Sequence, residues 1–241
     1  MRRWLTFLLG PLLGSCGWLP RQSVTPVPVD SAPAPRPPAE ETLVLLPGRF
    51  EGPNTFRKQG ILDLAAGLRP RARVAAPDLH LAYYRDRTAV KRLREDVIGP
   101  ARERGERVTV AGVSLGGLGA LLYALEHPGE VDEILLFAPF VGEPEVFDEI
   151  RGAGGLKNWD PGTPTDDDFQ RKLWSAIRDR WVETGRHPSI RLVIGRDDRM
   201  LAGSRLLRDE LLGQGDYLEI DGGHDWDAWR EGFQMLLPPR G

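Results

Sequence analysis

Arg107-Val108-Thr109-Val110-Ala111-Gly112-Val113-Ser114-Leu115-Gly116-Gly117-Leu118-Gly119-Ala120-Leu121-Leu122-Tyr123-Ala124-Leu125 is the stretch that decides the fold. Its opening residues form a β-branched apolar run, the pattern of a buried strand, and Leu118 to Leu125 suits a helix packed on a sheet. Between them Gly112-Val113-Ser114-Leu115-Gly116 reads G-x-S-x-G. In that setting the serine hydroxyl stands at the tip of a sharp strand-to-helix bend. A side chain at position 112 or 116 would crowd the bend, and glycine removes it. Ser114 is therefore the candidate nucleophile.

Working outward, short apolar runs alternate with helical patterns. Leu43-Val44-Leu45-Leu46 ends in Pro47-Gly48, Thr55 to Leu68 has helical character, and Arg73-Val74-Ala75-Ala76 is a second strand. Thr88 to Arg104 is amphipathic, with Val90, Leu93, Val97 and Ile98 on one face. After the Ser114 unit come Glu133-Ile134-Leu135-Leu136-Phe137, Arg191-Leu192-Val193-Ile194 and Tyr217-Leu218-Glu219-Ile220. This alternation predicts an α/β fold, a mostly parallel sheet of about six strands with helices on both faces.

The chain has 241 residues, 41% of them hydrophobic, and a net charge of −3. One catalytic-size domain can bury its own core at that length. A mildly acidic chain without a continuous basic block gives no case for nucleic acid. Paired-cysteine and His-x-x-x-His patterns are missing from the sequence, and its short Gly-rich loops lack a Walker lysine or the dinucleotide pattern. Neither a metal nor a cofactor is implied.

At the N-terminus Arg2-Arg3 precedes Trp4-Leu5-Thr6-Phe7-Leu8-Leu9 and Leu12-Leu13. A charged start and an apolar core of about ten residues suit a signal peptide and fall short of a spanning helix. Leu13-Gly14-Ser15-Cys16 resembles a bacterial lipobox, in which the signal is cut before a cysteine that becomes lipid-modified. Cys16 is also the sole cysteine of the chain, so it has no internal disulfide partner. Gly17 stands where an aspartate would retain a lipoprotein at the inner membrane, so the resemblance implies the outer membrane of a bacterial envelope. Pro26, Pro28, Pro33, Pro35, Pro37 and Pro38 then mark an extended tether. The expected plan is a signal peptide over 1–15, a lipidated Cys16 with its tether over 16–40, and a folded domain over 41–241.

The order of these elements resembles the α/β-hydrolase superfamily over about Thr42 to Leu237, in compact form and without the first two antiparallel strands of larger members. Gly222-Gly223-His224-Asp225-Trp226 with Trp229-Arg230 is similar to the end of enterochelin-esterase and esterase-D type esterases. The resemblance implies a serine esterase working through an acyl-enzyme. In such sheets the site lies beyond the carboxyl ends of the strands, which leaves His80 and His224 as candidates and puts His127 and His187 at the opposite edge. The family's order of serine, acid and histidine selects His224 as base, with His80 lining the mouth or bonding its own loop. Between Asp197 and Asp198 in Gly195-Arg196-Asp197-Asp198-Arg199-Met200-Leu201, the resemblance favours Asp198 as the acid. Asp225 reads as a helix-start residue.

An oxyanion needs two backbone N–H donors. The resemblance gives Leu115, directly after the nucleophile, and Arg49, after Gly48, although Pro47 stands where many relatives have histidine. From Val141 to Ser189 an aromatic-rich insertion reads as a small helical cap. There Thr165 with Asp168 resembles a capping box, and Phe169, Leu173, Ile177 and Trp181 share one helical face. That stripe is expected in the core, and Trp159 is the expected pocket wall. The partners implied are a small-molecule ester and, through Cys16, a membrane. A rival reading keeps the fold as an inactive envelope lipoprotein with a binding or assembly role.

Overall fold

The computed structural model describes residues 21–237 except Pro53 and Gln214. The expected signal peptide and Cys16 lie outside the described residues. Seven strands form one sheet in the order β1-β3-β2-β4-β5-β6-β7. They are β1 (Val29–Ala32), β2 (Glu41–Leu46), β3 (Ala72–Pro77), β4 (Arg107–Val113), β5 (Glu133–Phe137), β6 (Ser189–Gly195) and β7 (Tyr217–Ile220). β2 through β7 pair in parallel. Leu43 to Leu46 and Ile134 to Phe137 are fully buried, which is why these strands read as unbroken apolar runs.

The helices are α1 (Thr55–Lys58), α2 (Ile61–Leu68), α3 (Leu81–Arg85), α4 (Ala89–Leu93), α5 (Gly99–Glu103), α6 (Leu115–Glu126), α7 (Pro144–Gly152), α8 (Phe169–Ile177), α9 (Leu201–Leu211) and α10 (Trp226–Leu236). α10 packs beside α2, while α6 touches α4 and α8. The helix expected over 55–68 is divided at Gly60, whose φ of 72° takes it out of the helical region. The one expected from 88 to 104 is continuous, with a wider π-helical turn over Arg94–Ile98.

Two expectations need correction. The sheet has seven strands, because the segment read as a tether contributes β1, antiparallel to β3 with Val29 opposite Pro77 and Ala32 opposite Val74. The fold therefore begins well before Glu41. An edge strand pairs through backbone groups and needs little apolar surface of its own, so Val-Asp-Ser-Ala gave no sign of it. One antiparallel strand of the kind thought missing is thus present. The capping box is also displaced: α8 starts at Phe169, and Asp168 is itself the N-cap, accepting from the Arg171 N–H at 3.1 Å.

The lower, N-terminal ends of the strands are tied by buried charges. Arg69, 1% exposed, donates to both Glu41 oxygens at 2.9 and 3.0 Å and reaches Glu133 at 3.5 Å. Arg191 donates to Glu133 at 2.6 Å, and the Thr109 hydroxyl donates to Glu41 at 2.5 Å. Nearby, Glu106 accepts from Arg73 at 3.0 Å, from Arg104 at 2.9 Å and from Thr42 at 2.5 Å. Burial pushes the Glu106 carboxyl up, but the hydrogen bonds from Arg104, Thr42 and Arg73 outweigh it and hold it at about 2.

A carboxyl depressed on folding stabilises the protein above its unfolded value of about 4.3, and that contribution disappears as pH falls toward the folded value. Glu106→Gln should therefore be less stable than wild type near neutrality. The gap should shrink as the pH falls toward about 2, where half of the wild-type carboxyl is protonated. Urea denaturation of both proteins across that range is the check. A gap of constant size would show that the Glu106 charge contributes nothing.

Candidate active site

The loops at the upper, C-terminal ends of the strands build the site. β4 delivers Ser114 in the strained conformation φ 51°, ψ −113°, a region costly for a residue with a Cβ and kept only where the surroundings enforce it. Here the Ser114 N–H donates to the Phe137 carbonyl at 2.9 Å. The Ser114 carbonyl accepts from Gly117 and Phe140, each at 3.0 Å. A Cβ on Gly112 would lie 2.4 Å from the Gly116 carbonyl oxygen, and one on Gly116 would lie 2.2 Å from that of Leu46. Those approaches account for both glycines of the motif.

His224, in the loop between β7 and α10, brings Nε2 to 2.9 Å from Ser114 Oγ. Its Nδ1 lies 2.9 and 2.8 Å from the two carboxylate oxygens of Asp198. With Nδ1 protonated toward Asp198, Nε2 is free to accept from the serine hydroxyl. Asp198 has a fully buried side chain and also accepts from the Met200 N–H at 2.8 Å, at the start of α9. The Trp229 ring meets His224 edge-on at 4.9 Å. Ser114, Asp198 and His224 are thus brought together from three loops.

Asp197 is exposed, and its N–H donates to the Gly222 carbonyl at 3.0 Å. Asp225 caps α10, accepting from Asp227 and Ala228 at 3.0 and 3.1 Å. The Nδ1 of His80 accepts from the Ala82 N–H in its own loop at 3.4 Å, and burial, with the Arg21 charge adding to it, lowers the His80 pKa. His127 ends α6, and His187 is exposed ahead of β6.

Leu115 is the first residue of α6, where a helix leaves its N–H groups without intrahelical partners. Arg49 follows Gly48, whose Cβ position would lie 3.6 Å from Ser114 Cβ. The loop after β2 therefore lies against the serine. Glu51 in that loop was marked by no motif. Its N–H donates to the Gly48 carbonyl at 3.2 Å, and its carboxylate accepts from Trp226 Nε1 at 3.0 Å and from the Thr55 hydroxyl at 2.5 Å. It ties the Gly48 loop to the helix that follows His224. The 175 positions between Glu51 and Trp226 leave no local pattern from which sequence could find it.

In the insertion, Leu173, Ile177 and Trp181 are buried as expected. Phe169 is only half-buried and packs on Phe140, with ring centroids 5.7 Å apart. Phe169 therefore packs on a residue whose N–H holds the Ser114 carbonyl. Trp159, expected as pocket wall, is buried in the core, its carbonyl accepting from Arg178 at 2.7 Å. Among the described residues no group of three or more His, Cys, Asp or Glu side chains is placed to hold a metal ion. No helix among them is long and apolar enough to cross a membrane.

Comparison with solved structures finds the same fold in S-formylglutathione hydrolase FrmB of Staphylococcus aureus. That match has 16% identity and a TM-score of 0.59, and covers 92% of this chain and 98% of that one. A monoacylglycerol lipase of Paleococcus ferrophilus matches at 17% identity and a TM-score of 0.57, over 88% of this chain and 98% of that one. Est1E of Butyrivibrio proteoclasticus matches at 16% identity and a TM-score of 0.54, over 90% and 96%. No curated protein matches in sequence. The family described as "Putative esterase" matches residues 91–238, a span that includes Ser114, Asp198 and His224. By that match over more than half its length, the chain belongs to the esterase family, with the α/β-hydrolase fold.

Proposed function

We propose that this chain is a serine hydrolase that cleaves carboxylic esters through an acyl-enzyme. The observation that carries the reading is the line from Ser114 Oγ through His224 to Asp198, at 2.9 and 2.8 Å. Ser114 Oγ attacks the ester carbonyl carbon while its proton passes to His224 Nε2, and Asp198 stabilises the imidazolium. The N–H groups of Leu115 and Arg49 receive the oxyanion. Collapse breaks the ester C–O bond, and the proton on Nε2 leaves with the alcohol. Water then attacks the acyl-serine, giving a proton to His224 that returns to Ser114 as the acid departs. An alcohol in place of water would give acyl transfer through the same intermediate. These steps draw on no cofactor.

We further propose, from the resemblance of Leu13-Gly14-Ser15-Cys16 to a lipobox, that the mature protein lies in a bacterial envelope, anchored by lipid on Cys16 in the outer membrane and facing the periplasm or the cell surface. Two measurements test the proposal. A fluorophosphonate probe should label Ser114 in the folded protein and fail after denaturation or in Ser114→Ala; a folded wild type that resists the probe would favour the binding role instead. Mass spectrometry of the protein from bacterial membranes should find an acylated Cys16 at the N-terminus, and an unmodified terminus elsewhere refutes the anchor.

A further inference from the structure

The path of the chain ahead of β2 bears on what reaches Ser114. With residues 16–40 as a free tether, a lipid on Cys16 would leave the domain loosely held and without orientation. From residue 21 onward, however, the chain lies on the domain. Arg21 pairs with Asp78, and its guanidinium reaches the Glu51 carbonyl at 3.5 Å. Ser23 donates to Asp86 at 2.8 Å, and the Val24 N–H donates to the Tyr83 hydroxyl at 3.0 Å. The buried Val27 donates its N–H to Asp96 at 2.8 Å.

These contacts fix the edge at which the chain arrives. Asp78 directly follows the last residue of β3, and Glu51 lies in the loop after β2. Both strands run parallel to the Ser114 strand, β4, in one sheet, so Arg21 sits at the same edge as Ser114. Four residues lie between it and Cys16, so the two are at most about 18 Å apart even with the chain fully extended.

That edge carries exposed apolar side chains among charged ones such as Arg21, Arg49 and Arg85. Six large hydrophobic residues are exposed among the described residues, and four of them, Val24, Val29, Phe50 and Leu81, lie here. Phe50 is 77% exposed, with the Arg49 guanidinium 5.2 Å from its ring centre. An aromatic ring beside a cation suits the boundary between headgroups and acyl chains.

We infer that this edge rests on the lipid surface that holds Cys16, so that Ser114 takes esters lodged in the membrane. The inference rests on the proposed hydrolase and its anchor for substrate and attachment, and on the path of residues 21–29 for orientation. The full chain, made and processed in a Gram-negative host, allows a direct test, because a lipidated Cys16 leaves no other thiol. Phe50→Cys, Leu81→Cys and Arg186→Cys would each carry an environment-sensitive dye in phosphatidylethanolamine and phosphatidylglycerol vesicles. Arg186 is exposed ahead of β6, at the opposite edge.

Brominated lipid should quench the dyes at 50 and 81 at least about twofold more than the dye at 186. Equal quenching at the three positions, or a Cys16 without acyl chains, overturns the inference. Fluorophosphonate labelling of the wild-type protein in the same vesicles keeps the two readings separable, because a dye at position 50 stands beside Arg49. A protein that is labelled but shows no preference for position 50 or 81 remains a hydrolase and loses its membrane-facing edge. One that inserts those positions but resists labelling keeps the surface and loses the hydrolase.

Discussion

Ser114→Ala should lower ester turnover by about 10⁴-fold or more, leaving what binding and the oxyanion donors supply alone. The size of the effect follows from the bond that forms: without Oγ no acyl-enzyme arises, and His224 has no proton to take from the residue. The fold should survive. Alanine carries the same Cβ as serine into the φ 51° conformation, and the backbone bonds to Phe137, Gly117 and Phe140 that hold the bend are unchanged. The hydrogen bond lost from Oγ is worth about 1 kcal/mol. The check is kcat on a p-nitrophenyl ester series beside a melting curve. A folded variant that keeps more than about a tenth of wild-type turnover removes Ser114 from the nucleophile's role.

The second large effect belongs to one of two adjacent aspartates. In Asp198→Asn the amide can donate to His224 Nδ1, which turns the ring to the tautomer with a proton on Nε2. That nitrogen then cannot accept from Ser114, a fault that costs about 10⁴ in kcat in the serine proteases. Asp198 has no alternative partner to soften the change, since its side chain is fully buried between His224 and the Met200 N–H. Asp197→Asn should alter turnover by less than about threefold, because its side chain is exposed and such charges are worth about 0–1 kcal/mol. Its backbone bond to Gly222 persists in the variant. Turnover of the two single variants, each shown to be folded, decides the assignment. The reverse ranking would move the acid to Asp197, and two active variants would remove it from this loop.

How much of this was legible depends on where each residue gets its partners. Leu43 to Leu46 and Ile134 to Phe137 are covered on both faces, so burial wrote itself into the sequence as unbroken apolar runs. β1 meets β3 along one edge only, and its Asp30 and Ser31 carried no such mark. Ser114, Asp198 and His224 follow the ends of parallel strands, and parallel strands bring their ends to one edge, so chain order pointed to the three loops, while the choice of Asp198 over Asp197 came from the family resemblance. The link from Glu51 to Trp226 joins side chains distant in sequence and was invisible for that reason. At α8 three aspartates in a row, Asp166, Asp167 and Asp168, all suit a helix start. Only the Arg171 N–H bonded to Asp168 chooses among them.

The buried tie of Arg69 to Glu41 and Glu133 has a consequence for how such a protein can change. It joins the feet of β2 and β5 across β4, while Ser114, Asp198 and His224 follow the opposite ends of β4, β6 and β7 in the same sheet. The residues that tie the strands together and the residues of the site therefore stand at opposite ends of the sheet. Outside the residues that hold Ser114, such as Phe140, and the Glu51 tie, exposed positions of the upper loops can change in a mutant library without loosening the joint beneath them.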